Sequence, residues 1–292
     1  MEFERATVLS NRAEAREILR RIGDQPDDEI DLAEAALALG ALELPNADLA
    51  PYRAHIRAIV EDLAARVAAQ DPARNPDADS LETRIAHLHA VIGGRHGYSG
   101  DHDTYDDLQN ANLLRVIDRR RGLPVALGIL YMHAARSQGW PMVGLNFPGH
   151  FLVRIEKDGA RAILDPFNEG QTRSVVDLRD LLKATAGSAA ELEPGHYQPV
   201  SNRDVLLRLQ NNIKLRHLSA HEVPKALEVL EAMRLFAPHE PALWRETGLL
   251  EAHAGKLKDA ITALETFMAL TGDDHHRHQT ASLIQQLKNR LN

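Results

Sequence analysis

The chain has 292 residues and a mass of 32.4 kDa, enough for about two domains of roughly 100–200 residues each. Its 34 basic and 42 acidic side chains give a net charge of −8, which argues against nonspecific nucleic-acid binding and against docking on an anionic membrane. There is no cysteine, which excludes disulfides, thiolate metal sites and a cysteine nucleophile.

The pattern of apolar residues predicts a protein without membrane segments. No stretch approaches the roughly 18 apolar residues that a transmembrane helix needs. The first residues, MEFERATVLSNRAEAREILRR, include acidic side chains and lack the apolar core of a secretory signal. We therefore expect a cytoplasmic protein, and no motif points to a cofactor.

Residues 1–95 have the pattern of a helical region. A segment over 28–44 is rich in alanine and leucine, and residues 46–70 carry aliphatic side chains at helical spacing. A further helix is predicted to start after Asp79–Ser80 and to stop at Gly93–Gly94. The simplest interpretation is a structural helical bundle.

Two polar segments invite a metal-binding interpretation. Asp101, Asp103 and Asp107 have spacings loosely like a calcium loop, and a metal-dependent hydrolase would use these carboxylates. The glycine and the terminal glutamate of an EF-hand are missing, so a solvated loop is the favoured interpretation. The histidine-rich run 273–278 is likewise interpreted as a solvated loop, before a cap helix over 283–291. No metal site is expected.

The middle of the chain predicts two consecutive helices. The first covers 112–121 and ends in the basic run Arg119–Arg121. Pro124 opens the second, because a proline suits the first position of a helix, where its missing N–H would be unpaired anyway. The second helix, 125–138, is apolar almost all round, which predicts that it is buried.

A strand-rich stretch follows and contains a predicted hairpin. The dipeptide Asp158–Gly159 is a strong signal for a two-residue turn between strands over 150–156 and 161–164. The register set by this turn separates an apolar face from a mostly polar one. It also places His150 and Asp165 on the same face, within reach of each other at the open end of the hairpin.

The C-terminal part, 200–292, contains a repeat of 34 residues. Ala226 and Ala260 are separated by this period, and the second repeat also has Trp244 and Gly248 at tetratricopeptide spacing. Stacked helix pairs of this kind present a concave surface, so this part is predicted to bind a protein or peptide partner. The alternative is that the repeats only stabilise the rest of the chain.

The stretch RRRGLPVALGILYMHAARSQGWPMVGLNFPGHFLVRI, followed by ILDPFNEG, resembles the SirB-type branch of the transglutaminase-like superfamily. The resemblance covers about residues 30–185. It implies an α+β fold with a helical N-terminal region over 1–95. A papain/transglutaminase-like core with a small antiparallel sheet follows over 96–190. All-α tetratricopeptide repeats with a cap helix occupy 200–292.

The same resemblance places a catalytic triad on this chain, but without its nucleophile. His150 and Asp165 occupy the histidine and aspartate positions. Counting back from Gly139-Trp140-Pro141, which matches a turn of the superfamily, the nucleophile position falls at Pro124. Proline has no nucleophilic side chain, and no serine or threonine lies between residues 105 and 136 to replace it. The ordinary thiol mechanism is therefore impossible.

Three interpretations of His150 and Asp165 remain open. They form a structural pair that fixes the end of the sheet, or they line a ligand or peptide pocket together with Asn146 and Arg119 or Arg120. In the third, His150 is the general base of an amide or ester hydrolase and Asp165 orients it. The leading hypothesis is a non-catalytic protein-interaction or regulatory accessory module.

Overall fold

The computed structural model describes residues 2–44, 46–70 and 77–291, with side chains from residue 11 onward. The chain divides into two compact units: residues 1–15 with 26–209, and residues 16–25 with 210–292. The three-part division of the sequence, with boundaries near residues 95 and 200, stays a prediction.

Helices of the N-terminal part begin at capping side chains, which satisfy backbone N–H groups that have no partner inside the helix. The Asp31 carboxylate accepts hydrogen bonds from the backbone N–H groups of Ala33 and Glu34. The Ser80 hydroxyl accepts one from the backbone N–H of Thr83 at 3.1 Å. The helical pattern predicted for this part is confirmed. Its α-helices are α1 (Glu2–Asp24), α2 (Leu32–Glu43), α3 (Ala50–Ala68) and α4 (Leu81–Leu88).

The predicted stop of the last of these helices at Gly93–Gly94 is wrong. A π-helical turn, His89–Arg95, continues through both glycines. It closes where the backbone N–H of His96 donates to the carbonyl of Val91 at 2.9 Å. Because glycine adopts a wide range of backbone angles, the pair permits the wider turn instead of ending the helix.

The predicted pair of central helices is confirmed, but the first helix ends at Arg119, because Arg120 adopts a left-handed conformation and residue 121 belongs to a strand. Asn112 caps the first by accepting a hydrogen bond from the backbone N–H of Leu114 at 3.0 Å. The second begins at Pro124 and has most of its residues buried, as its uniformly apolar sequence predicts. Two short parallel strands lie beside these helices. The elements are β1 (Ser99–Gly100), α5 (Leu113–Arg119), β2 (Arg121–Gly122) and α6 (Pro124–Ser137).

A four-stranded antiparallel sheet follows, with the strands in sequence order. The hairpin register predicted from the Asp158–Gly159 turn is confirmed, since Glu156 pairs with Arg161 and Arg154 with Ile163. A helix begins after the sheet at a Ser–Asp capping box. The elements are β3 (Met142–Gly144), β4 (Val153–Lys157), β5 (Ala160–Asp165), β6 (Gln171–Thr172) and α7 (Val175–Ala186).

The predicted start of strand β4 at His150 is wrong, because the strand begins three residues later. The carbonyl oxygens of Phe147 and His150 accept hydrogen bonds from the guanidinium of Arg208, at 2.9 and 2.7 Å, instead of joining a strand ladder. The segment before β4 is therefore held as a loop by a side chain distant in sequence.

The ring of Phe151 locks this loop between helix α6 and the sheet. A Cβ atom added to Gly128 would lie 2.5 Å from the Phe151 ring, and one added to Gly144 would lie 2.6 Å from it. Real Cβ atoms do not approach so closely, so both backbones contact the ring only because they lack side chains. This packing fixes the position of residue 150, next to Phe151.

The second unit consists of packed helices, and the small residues of the predicted repeat signature lie at their contacts. Ala226 and Ala260 are fully buried. The indole N–H of Trp244 donates to the carbonyl of Pro238 at 2.8 Å. The helices after the sheet are α8 (Asn202–Ser219), α9 (Val223–Phe236), α10 (Pro241–His253), α11 (Leu257–Leu270) and α12 (Asp274–Leu291); residues 210–219 of α8 belong to this unit.

The C-terminal cap helix is longer than the sequence predicted. Residues 274–278, interpreted as a loop, form the first turn of α12, and the helix starts nine residues before the predicted Leu283. The carboxylate of Asp273 accepts a hydrogen bond from the backbone N–H of His276 at 3.1 Å and contacts its ring nitrogen at 2.7 Å. Because Asp273 caps the helix, the polar run after it begins a helix, although its composition suggested a loop.

Replacing Gly248 by alanine is expected to lower the free energy of unfolding. The added Cβ would lie 2.5 Å from Cγ of Leu264, so helices α10 and α11 would have to separate. Because the contact is far shorter than real Cβ atoms show, we expect the upper part of the usual overpacking cost, about 2–3 kcal/mol, which exceeds the gain of about 1 kcal/mol in helix propensity. Urea titration measures the difference. Gly272→Ala is the control because its Cβ meets open space, and equal stability of the two variants would contradict this packing.

Candidate functional site

The imidazole of His150 and the carboxylate of Asp165 form a hydrogen-bonded pair. His150 Nε2 lies 2.9 Å from Asp165 Oδ1, and the side chains are 10% and 0% exposed. A carboxylate accepts hydrogen bonds, so Nε2 is the donor. Within the described part of the chain, the other ring nitrogen, Nδ1, has no hydrogen-bond partner. The hydrogen bond at Nε2 thus orients the ring, while Nδ1 makes no hydrogen bond to any described residue.

Asp165 is the most heavily hydrogen-bonded group of the site. Its Oδ1 also accepts from the backbone N–H groups of Phe167 and Asn168, at 3.1 and 3.4 Å. Its Oδ2 accepts from Nδ2 of Asn168 at 2.8 Å and from the Arg173 guanidinium at 2.7 and 3.1 Å. Burial acts to raise the pKa of this carboxyl, but the hydrogen bonds from His150, Asn168 and Arg173 outweigh it and hold the pKa well below its usual range. The buried carboxylate is therefore ionised.

Two arginines that support this pair were not predicted from the sequence. Arg173 forms the ion pair with Asp165, and Arg208 donates to the carbonyl oxygen of His150. The Arg208 guanidinium also lies over the ring of Phe151, 5.4 Å from its centroid. Nothing local in the sequence marks either arginine. Asn168 stands in the Asp-Pro-Phe-Asn stretch of the family resemblance, where its role was not anticipated.

Pro124 and Asn146 lie in contrasting surroundings. Pro124 is buried as the first residue of helix α6, the position to which the family resemblance assigns the nucleophile. Asn146 is exposed, and its backbone N–H donates to the carbonyl of Gln198 at 2.9 Å. A helix start at this place supplies partially positive N–H groups but, with proline there, no reactive side chain.

The two candidate pocket arginines contact groups other than His150 and Asp165. Arg119 pairs with the buried carboxylate of Asp101 at 2.8 Å. Arg120 donates to the hydroxyl of Tyr98 at 2.6 Å, and its guanidinium lies 5.0 Å from the centroid of that ring. Burial raises the pKa of Tyr98 to about 12, so the hydroxyl stays protonated.

A polar cleft of about 350 Å³ lies beside the turn that follows Asp165. Phe167 lines it and also contacts the His150 ring edge-to-face, at a centroid distance of 6.0 Å. The cleft is therefore next to the His150–Asp165 pair, but neither of these two residues lines it. Its lining residues are Ser99, Gly100, His102, Asp103, Arg121, Phe167, Asn168, Glu169 and Gln171.

The acidic loop directs its carboxylates to its own neighbours. Asp101 accepts hydrogen bonds from Thr104, and Asp103 pairs with Arg121 at 2.9 Å. Over residues 2–44, 46–70 and 77–291, no three histidine, aspartate or glutamate side chains gather as a metal site would require. Across the same ranges, no helix is long and apolar enough to cross a membrane.

Comparison with known proteins places both parts of the chain. Residues 51–211 match the transglutaminase-like superfamily, and residues 213–285 match the tetratricopeptide repeat. A UPF0162 protein of Xylella fastidiosa (strain Temecula1) is 27% identical over 253 residues, which is 86% of this chain and 87% of that one. A UPF0162 protein of Vibrio cholerae is 31% identical over 228 residues, which is 78% of this chain and 81% of that one. Protein SirB1 of Salmonella typhimurium is 28% identical over 196 residues, or 67% and 72%.

These matches agree with the α+β architecture, with its small antiparallel sheet and C-terminal helical repeats. The superfamily match covers more than half of the chain, and the Vibrio cholerae relative exceeds 30% identity over most of it. The chain therefore belongs to the transglutaminase-like superfamily, among the UPF0162 and SirB1 proteins, with tetratricopeptide repeats after the core.

Proposed function

We propose that this chain is a non-catalytic, transglutaminase-like accessory protein that binds a protein partner through its tetratricopeptide part. The observation that carries the loss of chemistry is Pro124, which occupies the start of helix α6 where the family resemblance expects a thiol. Asp165, with both oxygens engaged and a guanidinium beside it, supports a structural role for the retained pair.

A row of leucines in the second unit supports partner binding. Leu215 in α8 is 57% exposed and Leu249 in α10 is 40% exposed. They are one repeat period of 34 residues apart, and Leu283 in α12 lies one period further and is half-buried. Equivalent positions of stacked repeats lie side by side, so we expect these three residues, here called the leucine ladder, to form an apolar stripe. Its third member also packs against buried residues of α11 and α12. Exposed apolar stripes of this kind favour protein contact.

The polar residues near the leucine ladder indicate the charge of the partner. Lys214 and Glu246 form an ion pair, so their charges cancel. Arg245, four residues before Leu249 on the same helix face, makes no ion pair with any described residue. Asn211 and Gln279 occupy the positions equivalent to Arg245 in the flanking repeats. We infer that the partner presents an apolar segment with an acidic side chain that pairs with Arg245.

Glutamates at Leu215 and Leu249 test this proposal in the full-length protein. We expect the double variant to bind the captured partner at least tenfold more weakly, since burying one leucine contributes roughly 1.5–3 kcal/mol and repulsion of acidic side chains adds to the loss. Affinity capture from cells of the source, followed by titration with the purified partner, measures this. Glutamates at Val175 and Val176, which are 59% and 61% exposed in the first unit, are the matched control. Equal loss in both double variants would contradict a role of the leucine ladder.

A hydrolase is the second candidate, favoured by the uncommitted Nδ1 of His150. In that function His150 takes a proton from water, and Asp165 orients the ring. Turnover of a panel of amide and ester substrates by the wild-type chain tests it. Turnover that His150→Gln abolishes would support the hydrolase over the accessory protein. Absence of turnover in the wild type, or turnover that His150→Gln leaves unchanged, counts against it.

A further inference from the structure

We propose that the polar cleft beside Asp165 binds the cationic side chain of a peptide, an arginine or lysine. The cleft belongs to the first unit, and it is independent of the leucine ladder. Its volume of about 350 Å³ is at the lower end of ligand pockets, which span roughly 300–1,000 Å³. Its lining is polar or charged except for Gly100 and Phe167, which suits a hydrophilic group of side-chain size.

The charges of the cleft do not cancel. Asp103 and Arg121 pair with each other at 2.9 Å. The carboxylate of Glu169 has no ion pair or hydrogen bond with any residue that the structure describes. One uncompensated negative charge therefore remains at the cleft, on a chain whose net charge is −8. Both the local and the long-range field attract a cation.

The backbone holds Glu169 in a conformation that a glycine would adopt more easily. Its φ is 55°, in the left-handed region that side chains disfavour. The Nδ1 atom of His89 contacts its carbonyl oxygen at 2.7 Å. The next residue, Gly170, has a φ of 77°, and the Tyr131 hydroxyl occupies the space that a Cβ would need. Contacts with His89 and Tyr131 thus fix the turn at residues 169 and 170. The turn itself does not need a carboxylate, so the glutamate side chain is available for another role.

A second acceptor belongs to Asn168, which also lines the cleft. The Nδ2 group of Asn168 is committed to Asp165, which leaves its Oδ1 atom as an acceptor with no partner in the described ranges. The rings of Phe167 and His102 stand 4.5 Å apart in the same lining. Two acceptors and an aromatic wall match a planar guanidinium or an ammonium group on an alkyl chain, which offers several donors and no acceptor.

Titration of the full-length, isotope-labelled protein with Nα-acetyl-arginine amide and Nα-acetyl-lysine amide tests this proposal. We expect at least one of them to shift the His102 ring resonances in a saturable way, and the uncharged Nα-acetyl-norleucine amide to leave them unchanged. Glu169→Gln should weaken binding about tenfold, because a charge-assisted contact is lost at nearly constant size. Glu191→Gln, an exposed glutamate elsewhere in the same unit, should have no effect.

Glu169→Gly provides a second variant that keeps the turn, since glycine tolerates the left-handed conformation. It should also lose binding of the cationic probe without loss of thermal stability. The proposal is overturned if neither cationic amide shifts the His102 resonances, if the norleucine amide binds as tightly, or if both Glu169 variants bind like the wild type. Because the leucine ladder plays no part in this measurement, either result leaves the proposed accessory function to its own test.

Discussion

Replacement of Asp165 by alanine is expected to lower the free energy of unfolding by about 3–5 kcal/mol, the range found when one partner of a buried ion pair is removed. The Arg173 guanidinium would lose its counter-charge, and His150 would lose its acceptor. The backbone N–H groups of Phe167 and Asn168 would also lose their cap. Urea titration at pH 7, followed by circular dichroism, measures the loss.

Asp180→Ala is the control for this prediction, because Asp180 is an exposed aspartate in the same unit. We expect it to change stability by less than about 0.5 kcal/mol. In the double variant Asp165→Ala with Arg173→Met, part of the lost stability should return, since no unpaired guanidinium remains. A loss below about 1 kcal/mol for Asp165→Ala would contradict a structural role of the pair.

The low pKa of Asp165 predicts that the free energy of unfolding falls in acid. Its pKa is lower in the folded chain than in the unfolded chain, so its contribution is fully present above the unfolded value of about 3.9. The contribution disappears as the pH falls below that value toward the lower folded pKa. We expect the wild type to lose more stability than Asp165→Asn between pH 5 and pH 2.5. Parallel curves for the two proteins would be inconsistent with a depressed pKa at this residue.

Introducing a cysteine at Pro124 should produce a thiol of unusually low pKa. A free thiol titrates near 8.5, and a thiol beside a charged histidine at a helix start titrates at roughly 3.5–7.5. Because the wild-type chain has no cysteine, the introduced thiol is the only one present. The pH dependence of its alkylation rate with iodoacetamide therefore measures its pKa. Pro241→Cys is the control for the helix start, since Pro241 is also the first residue of an α-helix, although it is less buried than Pro124. We expect the thiol at residue 124 to have a pKa at least about one unit below that of the control.

The double variant Pro124→Cys with His150→Gln separates the two causes of this shift. The helix start acts on both introduced thiols, whereas only the thiol at residue 124 is expected to have His150 as a neighbour. The extra shift should therefore vanish in the double variant. If the pKa of the thiol at residue 124 is the same with and without the His150 imidazole, His150 does not act on that position, which contradicts the family placement of the triad.

Local sequence signals predicted the elements that local chemistry decides. The Asp158–Gly159 turn determined the hairpin register, because a one-residue slip would have moved apolar side chains to the solvent face. Pro124 and the uniformly apolar run after it predicted the start and the burial of helix α6. The 34-residue period predicted stacked helix pairs, and its small residues Ala226 and Ala260 are buried in the second unit.

The sequence did not predict contacts that depend on how strands and helices are arranged in the fold. Arg173 reaches Asp165 only because strand β6 returns beside β5, and Arg208 reaches the His150 carbonyl from a helix 58 residues further along. No periodicity records such contacts. The π-helical turn over His89–Arg95 and the extended start of α12 were missed for another reason, since glycine pairs and polar runs permit helix as well as loop.

We propose that the function of this chain is partner binding at the leucine ladder and not chemistry at His150. The most direct measurement is the affinity of the purified partner for the wild type, for the variant with glutamates at Leu215 and Leu249, and for His150→Gln. We expect a loss of at least tenfold for the leucine variant and unchanged affinity for His150→Gln. Unchanged affinity of the leucine variant, or catalytic turnover that His150→Gln abolishes, would contradict it.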